Sequence, residues 1–254
     1  MKSTSPTLTT ATPAKLTHQR LLAHPRSFFH KLQLRADRRA ANAIFQRSCK
    51  IPSVSIREAF PGIESNRAVI QAVPTEMDLG NSLIGEMVLL TTLCAHLQPK
   101  RLFEFGTFDG LTTLHLAMNS PADAKVTTID LAPDDPIRQT DTDDTFYTRE
   151  KKVGEHYLTK PEAARIEQIF TNSMTFDHAP YRQTMDFIFV DGGHDYDVVA
   201  SDTVKALEMI KPGGVIVWHD FEFTHWGVYT YLNEISARTS LSRIGGTSFV
   251  FHRA

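Results

Sequence analysis

The sequence predicts an α/β domain built on a doubly wound, Rossmann-like, mainly parallel sheet of seven strands. Three observations support this fold class. Segments with strand-like and helix-like patterns alternate five times along the chain. Apart from Asp186, the run Met185–Val190 is apolar, as expected for a strand buried on both faces of a parallel sheet. Two short closing strands flank Gly245-Gly246, which indicates an antiparallel hairpin strand at the C-terminal end.

The region before the sheet is expected to differ from it in character. Residues 1–15 are rich in Ser, Thr and Pro and predict a disordered tail. Residues 16–98 predict accessory helices that serve as a lid or in oligomerisation, and residues 99–254 form the sheet domain. Within the accessory region, one helix is expected after a turn around Gly80-Asn81 and ends before Pro99.

Charge is distributed unevenly between these regions. The first fifty residues contain ten Lys or Arg and one acid, Asp37, so the remainder is acidic. Three interpretations of this basic arm stay open. It is an accessory helix packed on the domain or on a second subunit, an organelle transit peptide, or a basic patch for an anionic substrate or surface.

Polar residues follow the ends of the predicted parallel strands. In a doubly wound sheet these carboxyl ends meet at one edge, where ligands bind. The residues concerned are Glu104, Gly106, Asp130, Ser173, Asp191, His194, His219 and Asp220. Their coincidence at one edge predicts a single ligand site.

The stretch Arg101–Gly110 predicts a strand and a glycine turn, and residues 111–118 then form a helix. The spacing of Gly106 and Gly110 is G-x-x-x-G, not the G-x-G-x-x-G of nicotinamide and flavin sites. Glu104 in the strand end would repel a pyrophosphate but suits a ligand with an ammonium group. S-adenosylmethionine (SAM) has that group and no phosphate, so it fits the turn better than a dinucleotide does.

Asp130 ends the second strand, twenty residues beyond Gly110. An acid at this position of an α/β nucleotide site holds ribose hydroxyls, and SAM contains a ribose. The alternative is an Asp that caps the turn before Pro133. Ser173, in the turn after the third strand, is placed to meet the adenine.

Taken together, these motifs resemble those of class I SAM-dependent methyltransferases. More narrowly, the chain is similar to methyltransferase family 24, which is related to catechol-type and macrolide-sugar O-methyltransferases. The resemblance covers roughly Ile51 to the C-terminus and rests on Phe103–Gly110, Val190–Tyr196, Lys211–Gly214 and Trp218–Asp220. It implies methyl transfer from SAM to a hydroxyl oxygen of a small molecule, such as a sugar or a secondary metabolite.

The resemblance also implies roles for single residues. The cofactor site would comprise Glu104, Gly106, Thr107, Phe108, Gly110, Thr112, Asp130, Ser173 and Asp191. Asp191 would lie beneath the transfer centre, and His194 would be the general base, because a histidine pKa lies near the operating pH. Asp195, Asp197 or Asp191 could orient His194. A structural histidine that caps the following helix is the alternative.

A divalent metal is a further expectation from the resemblance. Related metal-dependent enzymes hold magnesium with residues at the positions of Asp191, His219 and Asp220. Here the middle residue is an imidazole, whereas magnesium prefers oxygen ligands. Three possibilities therefore stay open. The site binds magnesium, it binds another divalent ion, or it binds no ion and His219-Asp220 positions the acceptor or His194.

The acceptor itself is not identified by the sequence. Its pocket is expected to be lined by the N-terminal helices, a polar flap or loop at 133–160 and the turn 221–226. Phe221, Phe223 and Trp226 are candidates to stack on a ring, and Glu86 is a candidate ligand contact.

Composition restricts the remaining function classes. No apolar run is long enough to cross a bilayer, and the two cysteines, Cys49 and Cys94, have no metal-like spacing. We therefore expect a cytoplasmic enzyme without a membrane or nucleic-acid partner, and a homodimer or higher homo-oligomer. A SAM-using enzyme of other chemistry, including N-methylation, and a non-catalytic SAM-binding protein stay open as alternatives.

Overall fold

The computed structural model describes residues 48–71, 84–139 and 152–254. The predicted tail, nearly all of the predicted basic arm, the turn at Gly80-Asn81 and the middle of the predicted flap lie outside these residues. Residues from Cys49 onward belong to one structural unit. No helix in the described part of the chain is both long enough and apolar enough to cross a membrane.

Eight strands form one sheet. In chain order they are β1 (Ser53–Val54), β2 (Arg101–Phe105), β3 (Lys125–Asp130), β4 (Ile166–Phe170), β5 (Met185–Val190), β6 (Ile210–Trp218), β7 (Ser242–Ile244) and β8 (Val250–Arg253). Their order across the sheet is β1-β7-β8-β6-β5-β2-β3-β4. Only β8 runs antiparallel to its neighbours β6 and β7. The predicted doubly wound sheet with an antiparallel C-terminal strand is therefore confirmed.

The sheet has one strand more than predicted. The extra strand is β1, which pairs in parallel with β7 so that Ser53 lies opposite Arg243. A two-residue strand is too short to show the alternation of polar and apolar residues by which a strand is recognised in sequence. The sequence therefore does not predict a strand at this point.

The α-helices of the described residues are α1 (Ile56–Ala59), α2 (Ile84–Leu97), α3 (Leu111–Met118), α4 (Tyr196–Met209) and α5 (Trp226–Ile235). Helix α1 begins with a capping box, in which the Ser55 hydroxyl accepts from the Glu58 amide and the Glu58 carboxylate accepts from the Ser55 amide. The longer helices follow the strands as the sequence predicted. Helices α3, α4 and α5 follow β2, β5 and β6, whereas β4 and β5 are joined by a loop that contains only a short 3₁₀ helix, Ala179–Tyr181, so the predicted fivefold alternation is incomplete.

The core lies on both faces of the central strands. Leu102 and Phe103 of β2 and Phe187 and Ile188 of β5 are almost fully buried, although adjacent residues of a strand face opposite sides of the sheet. Helices or loops therefore cover both faces. This burial fixes the positions at which β2, β3, β5 and β6 end.

Candidate active site

Backbone hydrogen bonds align the carboxyl ends of the central strands. The amide of Gly106 donates to the carbonyl of Ile129 at 3.0 Å, and the amide of Asp191 donates to that of Phe105 at 2.9 Å. The amide of His219 donates to the carbonyl of Val190 at 3.1 Å. The predicted site residues at the ends of β2, β3, β5 and β6 therefore lie along one edge, as expected.

Gly106 permits a close contact between two of these strand ends. Its φ is +91°, and a Cβ atom there would lie 2.1 Å from the carbonyl oxygen of Asp191. Gly110, with φ +81°, is approached in the same way by the ring of Tyr157 and the Cα atom of Gly154. Both glycines thus serve contacts within the protein, in addition to any contact with a ligand.

Glu104 is completely enclosed at the end of β2. Its Oε2 atom accepts from the Thr128 hydroxyl at 2.6 Å and from the Thr113 hydroxyl, while its Oε1 atom has no hydrogen-bond partner. Burial raises the pKa of this carboxyl to about 8, although the two hydroxyl contacts oppose the shift. The orphaned Oε1 is an acceptor that a cationic group of a ligand would satisfy.

The contacts around Glu104 modify the prediction for Thr112. The hydroxyl that reaches Glu104 belongs to the next residue, Thr113, which is buried on α3. Thr112 is half-buried at the start of the same helix. The Thr107 hydroxyl bonds to that of Thr128 at 2.7 Å, so Thr107 contributes to the same polar cluster.

Asp130 holds the glycine turn. Its Oδ2 atom accepts from the amides of Phe108 at 2.7 Å and Thr107 at 3.2 Å. Its Oδ1 atom pairs with Arg138 at 3.2 Å, and the Arg138 side chain is almost fully buried. Burial raises the pKa of Asp130, although the backbone contacts and Arg138 oppose the shift. The sequence reasoning did not anticipate Arg138, which lies in a short 3₁₀ segment beyond Pro133.

Ser173 lies in the turn after β4, close to a carboxyl group that the sequence analysis overlooked. Asp202 of α4 hydrogen-bonds to the Ser173 side chain. Burial raises the pKa of Asp202 to about 6, with that contact opposing the shift, and its Oδ1 atom has no partner. A buried acid in an amphipathic helix could have been noticed by its position on the apolar stripe, three residues after Val199 and four before Ala206.

His194 follows β5 and pairs with Asp220, which follows β6. The His194 Nε2 atom lies 2.9 Å from Asp220 Oδ2. Asp195 and Asp197, two of the expected partners, are exposed at the start of α4. The partner of His194 is therefore Asp220. This agrees with the alternative in which His219-Asp220 positions His194. Asp220 has φ +56°, a conformation that Asp tolerates better than most residues.

His225 completes this cluster. Its ring stacks on that of His194 with 4.2 Å between centroids, and its Nδ1 atom lies 3.7 Å from Asp220 Oδ1. The first turn of α5 packs against the same loop, because a Cβ on Gly227 would lie 2.1 Å from the His194 carbonyl oxygen. The sequence analysis missed His225, although it lies within the 221–226 turn assigned to the acceptor pocket.

His219 is buried among three carboxylates. Its Nδ1 atom lies 2.9 Å from Asp191 Oδ1 and 3.3 Å from Asp220 Oδ2, and its Nε2 atom lies 3.3 Å from Glu86 Oε2. Burial lowers the pKa of a histidine, but these carboxylates outweigh it and hold the pKa of His219 well above its ordinary value. Glu86, a candidate ligand contact in the sequence analysis, therefore reaches His219.

Asp191, His219 and Asp220 also offer ligand atoms that lie within 4.8 Å of one another. Two carboxylates and one imidazole do not form the all-oxygen environment that magnesium prefers. Imidazole is a better ligand for ions such as zinc, iron or nickel. The donor set thus fits a transition ion better than the magnesium ion first considered.

The aromatic residues expected in the acceptor pocket divide into two groups. Phe221 is buried and stacks on Tyr229 at 5.3 Å between centroids. Phe223 and Trp226 are exposed, and their rings lie edge to face at 5.7 Å. Only the second pair is therefore accessible to an acceptor.

A cavity of about 630 Å³ lies beside β4, away from His194. Its lining includes Pro133, Lys152, Tyr157 and Leu158, which belong to the flap predicted over the substrate. The Tyr157 hydroxyl donates to Gln168 at 2.7 Å, and burial together with the nearby Glu104 and Asp130 carboxyls raises the Tyr157 pKa to about 12. Tyr157 thus separates this cavity from the acids of the glycine turn.

Comparisons with known proteins agree on one kind of domain. Residues 103–221 match the family model for a methyltransferase domain of family 24. Among curated proteins, caffeoyl-CoA O-methyltransferase of Stellaria longipes is 26% identical over an alignment 169 residues long, which covers 58% of this chain and 63% of that protein. This chain therefore spans somewhat less than two thirds of that relative.

Solved structures share the fold at low sequence identity. The O-methyltransferase TomG of Streptomyces achromogenes, involved in tomaymycin synthesis and solved with SAM, has a TM-score of 0.50 at 18% identity, covering 69% of this chain and 82% of that one. The Bacillus cereus O-methyltransferase, solved with S-adenosylhomocysteine (SAH), has a TM-score of 0.50 at 14% identity, covering 69% and 84%. The SAH-bound Podospora anserina methyltransferase PaMTH1 has the same TM-score at 13% identity, covering 85% and 93%.

Proposed function

Because residues 103–221 match the model of a methyltransferase domain, we propose that this protein is a class I SAM-dependent methyltransferase that methylates a hydroxyl oxygen of a small molecule, such as a sugar or a secondary metabolite. The observation that carries the proposal is the pair of His194 Nε2 and Asp220 Oδ2, 2.9 Å apart at the carboxyl edge. The same edge contains the glycine turn, whose Gly106 contacts Asp191. A base and a cofactor turn are therefore adjacent.

The chain's own residues fit SAM in three respects. When bound, SAM supplies a methyl group that its sulfonium makes electrophilic. The orphaned Oε1 of Glu104 offers an acceptor for the ammonium of the methionine moiety. Asp130 carries a carboxylate where ribose hydroxyls bind in this fold, and it already holds the turn through Thr107 and Phe108. Ser173 and the turn around it lie where the adenine is expected.

His194 is proposed to accept the proton of the acceptor hydroxyl. Donation of its Nε2–H to Asp220 leaves Nδ1 as the ring nitrogen that takes a proton. Asp220 then stabilises the imidazolium that forms, as the acid of a catalytic triad does for its histidine. Methyl transfer itself needs the hydroxyl oxygen in line with the methyl group, so positioning by the surrounding loop is as important as the base.

A bound transition ion at Asp191, His219 and Asp220 would supply a Lewis acid for the acceptor oxygen. The residues around it act without that assumption, because His194 and Asp220 already form a proton acceptor and its partner. Phe223 and Trp226 would contribute a stacking surface for the acceptor. We further propose that the protein is a cytoplasmic homodimer or higher homo-oligomer with no nucleic-acid or membrane partner.

The test separates cofactor binding from catalysis. SAH is titrated calorimetrically into the wild type, His194→Ala and Asp130→Ala, and methyl transfer is followed with methyl-labelled SAM and a panel of hydroxyl compounds. We expect His194→Ala to bind SAH as the wild type does but to lose turnover by about 100-fold or more. Asp130→Ala should bind SAH much more weakly.

A non-catalytic SAM-binding protein is the second candidate, because the orphaned Oε1 of Glu104 and the turn held by Asp130 would serve cofactor binding whether or not a base is present. Full activity in His194→Ala would remove that residue from the mechanism. SAH binding without methyl transfer to any hydroxyl acceptor would favour the second candidate. Absence of SAH binding in folded wild-type protein would contradict both.

A further inference from the structure

We propose that Asp191, His219 and Asp220 bind one transition ion of the zinc type in preference to magnesium, with Glu86 as the residue that orients His219. The part of this inference that concerns catalysis rests on the proposed function, whereas ion binding does not. The proposal is carried by the placement of four side chains at the ends of β5 and β6 and on α2.

The separations between the donor atoms suit a common ion. His219 Nδ1 lies 2.9 Å from Asp191 Oδ1 and 3.3 Å from Asp220 Oδ2. Ligands bound to one ion at about 2.1 Å in tetrahedral or octahedral geometry are about 3 to 3.5 Å apart. An ion can therefore replace the hydrogen bonds among these atoms without a large movement of the backbone.

Glu86 occupies the position of an outer carboxylate. Its Oε2 atom lies 3.3 Å from His219 Nε2, and its Oε1 atom accepts from the Ser248 amide at 2.6 Å. Histidines that bind metals nearly always donate their other ring N–H to a carboxylate, carbonyl or water. Donation from Nε2 to Glu86 directs Nδ1 toward Asp191 and Asp220, where a bound ion would replace the proton that Nδ1 shares with these carboxylates.

Burial and charge support the same assignment. Glu86 and His219 are each more than nine-tenths buried, while Asp191 and Asp220 retain partial exposure. The two inner residues thus form a fixed support, and the outer two leave access for an ion and for an acceptor oxygen. Three carboxylates directed at one ring concentrate negative charge that a divalent cation neutralises.

The choice of ion follows from the middle ligand. Magnesium demands oxygen ligands in near-ideal octahedral geometry, and His219 supplies nitrogen. Imidazole with carboxylates suits zinc, iron and nickel. The residue at position 219 therefore determines the ion that this chain selects.

The experiment measures ion binding directly in the full-length protein. The protein is treated with a chelator, dialysed, and titrated calorimetrically with Zn²⁺, Co²⁺ and Mg²⁺, and the visible absorption of Co²⁺ reports its coordination. We expect one equivalent of Zn²⁺ or Co²⁺ to bind on the order of 100-fold more tightly than Mg²⁺. No transition-ion binding, or equal affinity for Mg²⁺, would overturn the proposal.

Variants assign the binding to these residues. His219→Asn should abolish the tight transition-ion site, and Glu86→Gln should weaken it by about 10- to 100-fold. His156→Asn is the matched control, because His156 belongs to a separate group of potential ligands with Asp109 and Glu155. Tight binding that survives in His219→Asn, or that disappears in His156→Asn, would contradict the assignment.

Two further measurements keep the outcomes separate. Circular dichroism verifies that each variant is folded, and if His219→Asn is not, Asp191→Asn replaces it, because Asp220 is shared with a second group of potential ligands, His194 and His225. SAH is titrated into the same samples. Loss of SAH binding in the wild type would contradict the proposed function, whereas ion binding would still be decided by the metal titrations.

Discussion

Replacement of Glu104 by Gln is expected to remove a pH dependence of stability. Burial raises the pKa of this carboxyl from 4.5 to about 8, so the native state holds a proton that the unfolded chain releases. A native state that binds the proton more tightly loses relative stability as the pH rises. As the pH rises from 4.5 to 8, the free energy of unfolding of the wild type should therefore decrease relative to that of Glu104→Gln.

The size of the effect follows from the shift. Between pH 5 and pH 8 the unfolding free energy of the wild type should decrease by about 4 kcal/mol relative to the variant, because each pH unit contributes about 1.36 kcal/mol. This is a large part of the 5 to 15 kcal/mol that is typical of a domain. Gln is similar in shape, and its amide oxygen accepts from the Thr113 and Thr128 hydroxyls, so the variant retains most of the contacts of Glu104.

The assay is urea unfolding of the ligand-free protein at pH 5, 6.5 and 8. All other ionisable groups are common to both proteins, so the difference between their unfolding free energies isolates Glu104. Glu64→Gln, which removes an exposed carboxylate, is the matched control. A difference between wild type and Glu104→Gln that stays constant over this pH range would refute the reasoning from burial.

Two further predictions concern the turn and the acceptor surface. Gly106→Ala should destabilise the protein by several kcal/mol in thermal unfolding, because its Cβ would overlap the Asp191 carbonyl. Gly246, with φ +86° and open space around it, is the control. Gly246→Ala should lose only the strain of the left-handed conformation, about 1 to 2 kcal/mol. Equal losses would contradict the overlap. Trp226→Ala, at a residue 59% exposed, should raise the acceptor KM by about tenfold and leave SAH affinity unchanged; an unchanged KM would exclude Trp226 from the acceptor site.

The alignment of the strand ends was accessible from the sequence because parallel strands share an edge. Glu104, Asp130 and Asp191 each follow or end a recognisable apolar run, so their proximity follows from the fold class. The pairing of Ser53 with Arg243 was not accessible, because β1 contains two residues and carries no periodic pattern.

Side-chain partners that depend on the path of a loop or on distant elements could not be predicted. Glu86 meets His219 across 133 residues, and nothing near either residue specifies the other. Arg138 reaches Asp130 because a 3₁₀ segment turns back beside β3, and that path has no sequence signature. His194 is the predicted base, but its pairing with Asp220 depends on how α5 and the loop after β6 pack together.

The contact of Gly106 with Asp191 has a thermodynamic consequence. The Asp191 amide is bonded to Phe105, and a Cβ on Gly106 would have no room, so the strand ends of β2 and β5 move together. A ligand that shifts the turn therefore shifts the loop that bears His194. By thermodynamic linkage, cofactor binding at the glycine turn then changes the affinity for the acceptor at the His194 loop by some factor. Acceptor binding changes the affinity for the cofactor by the same factor.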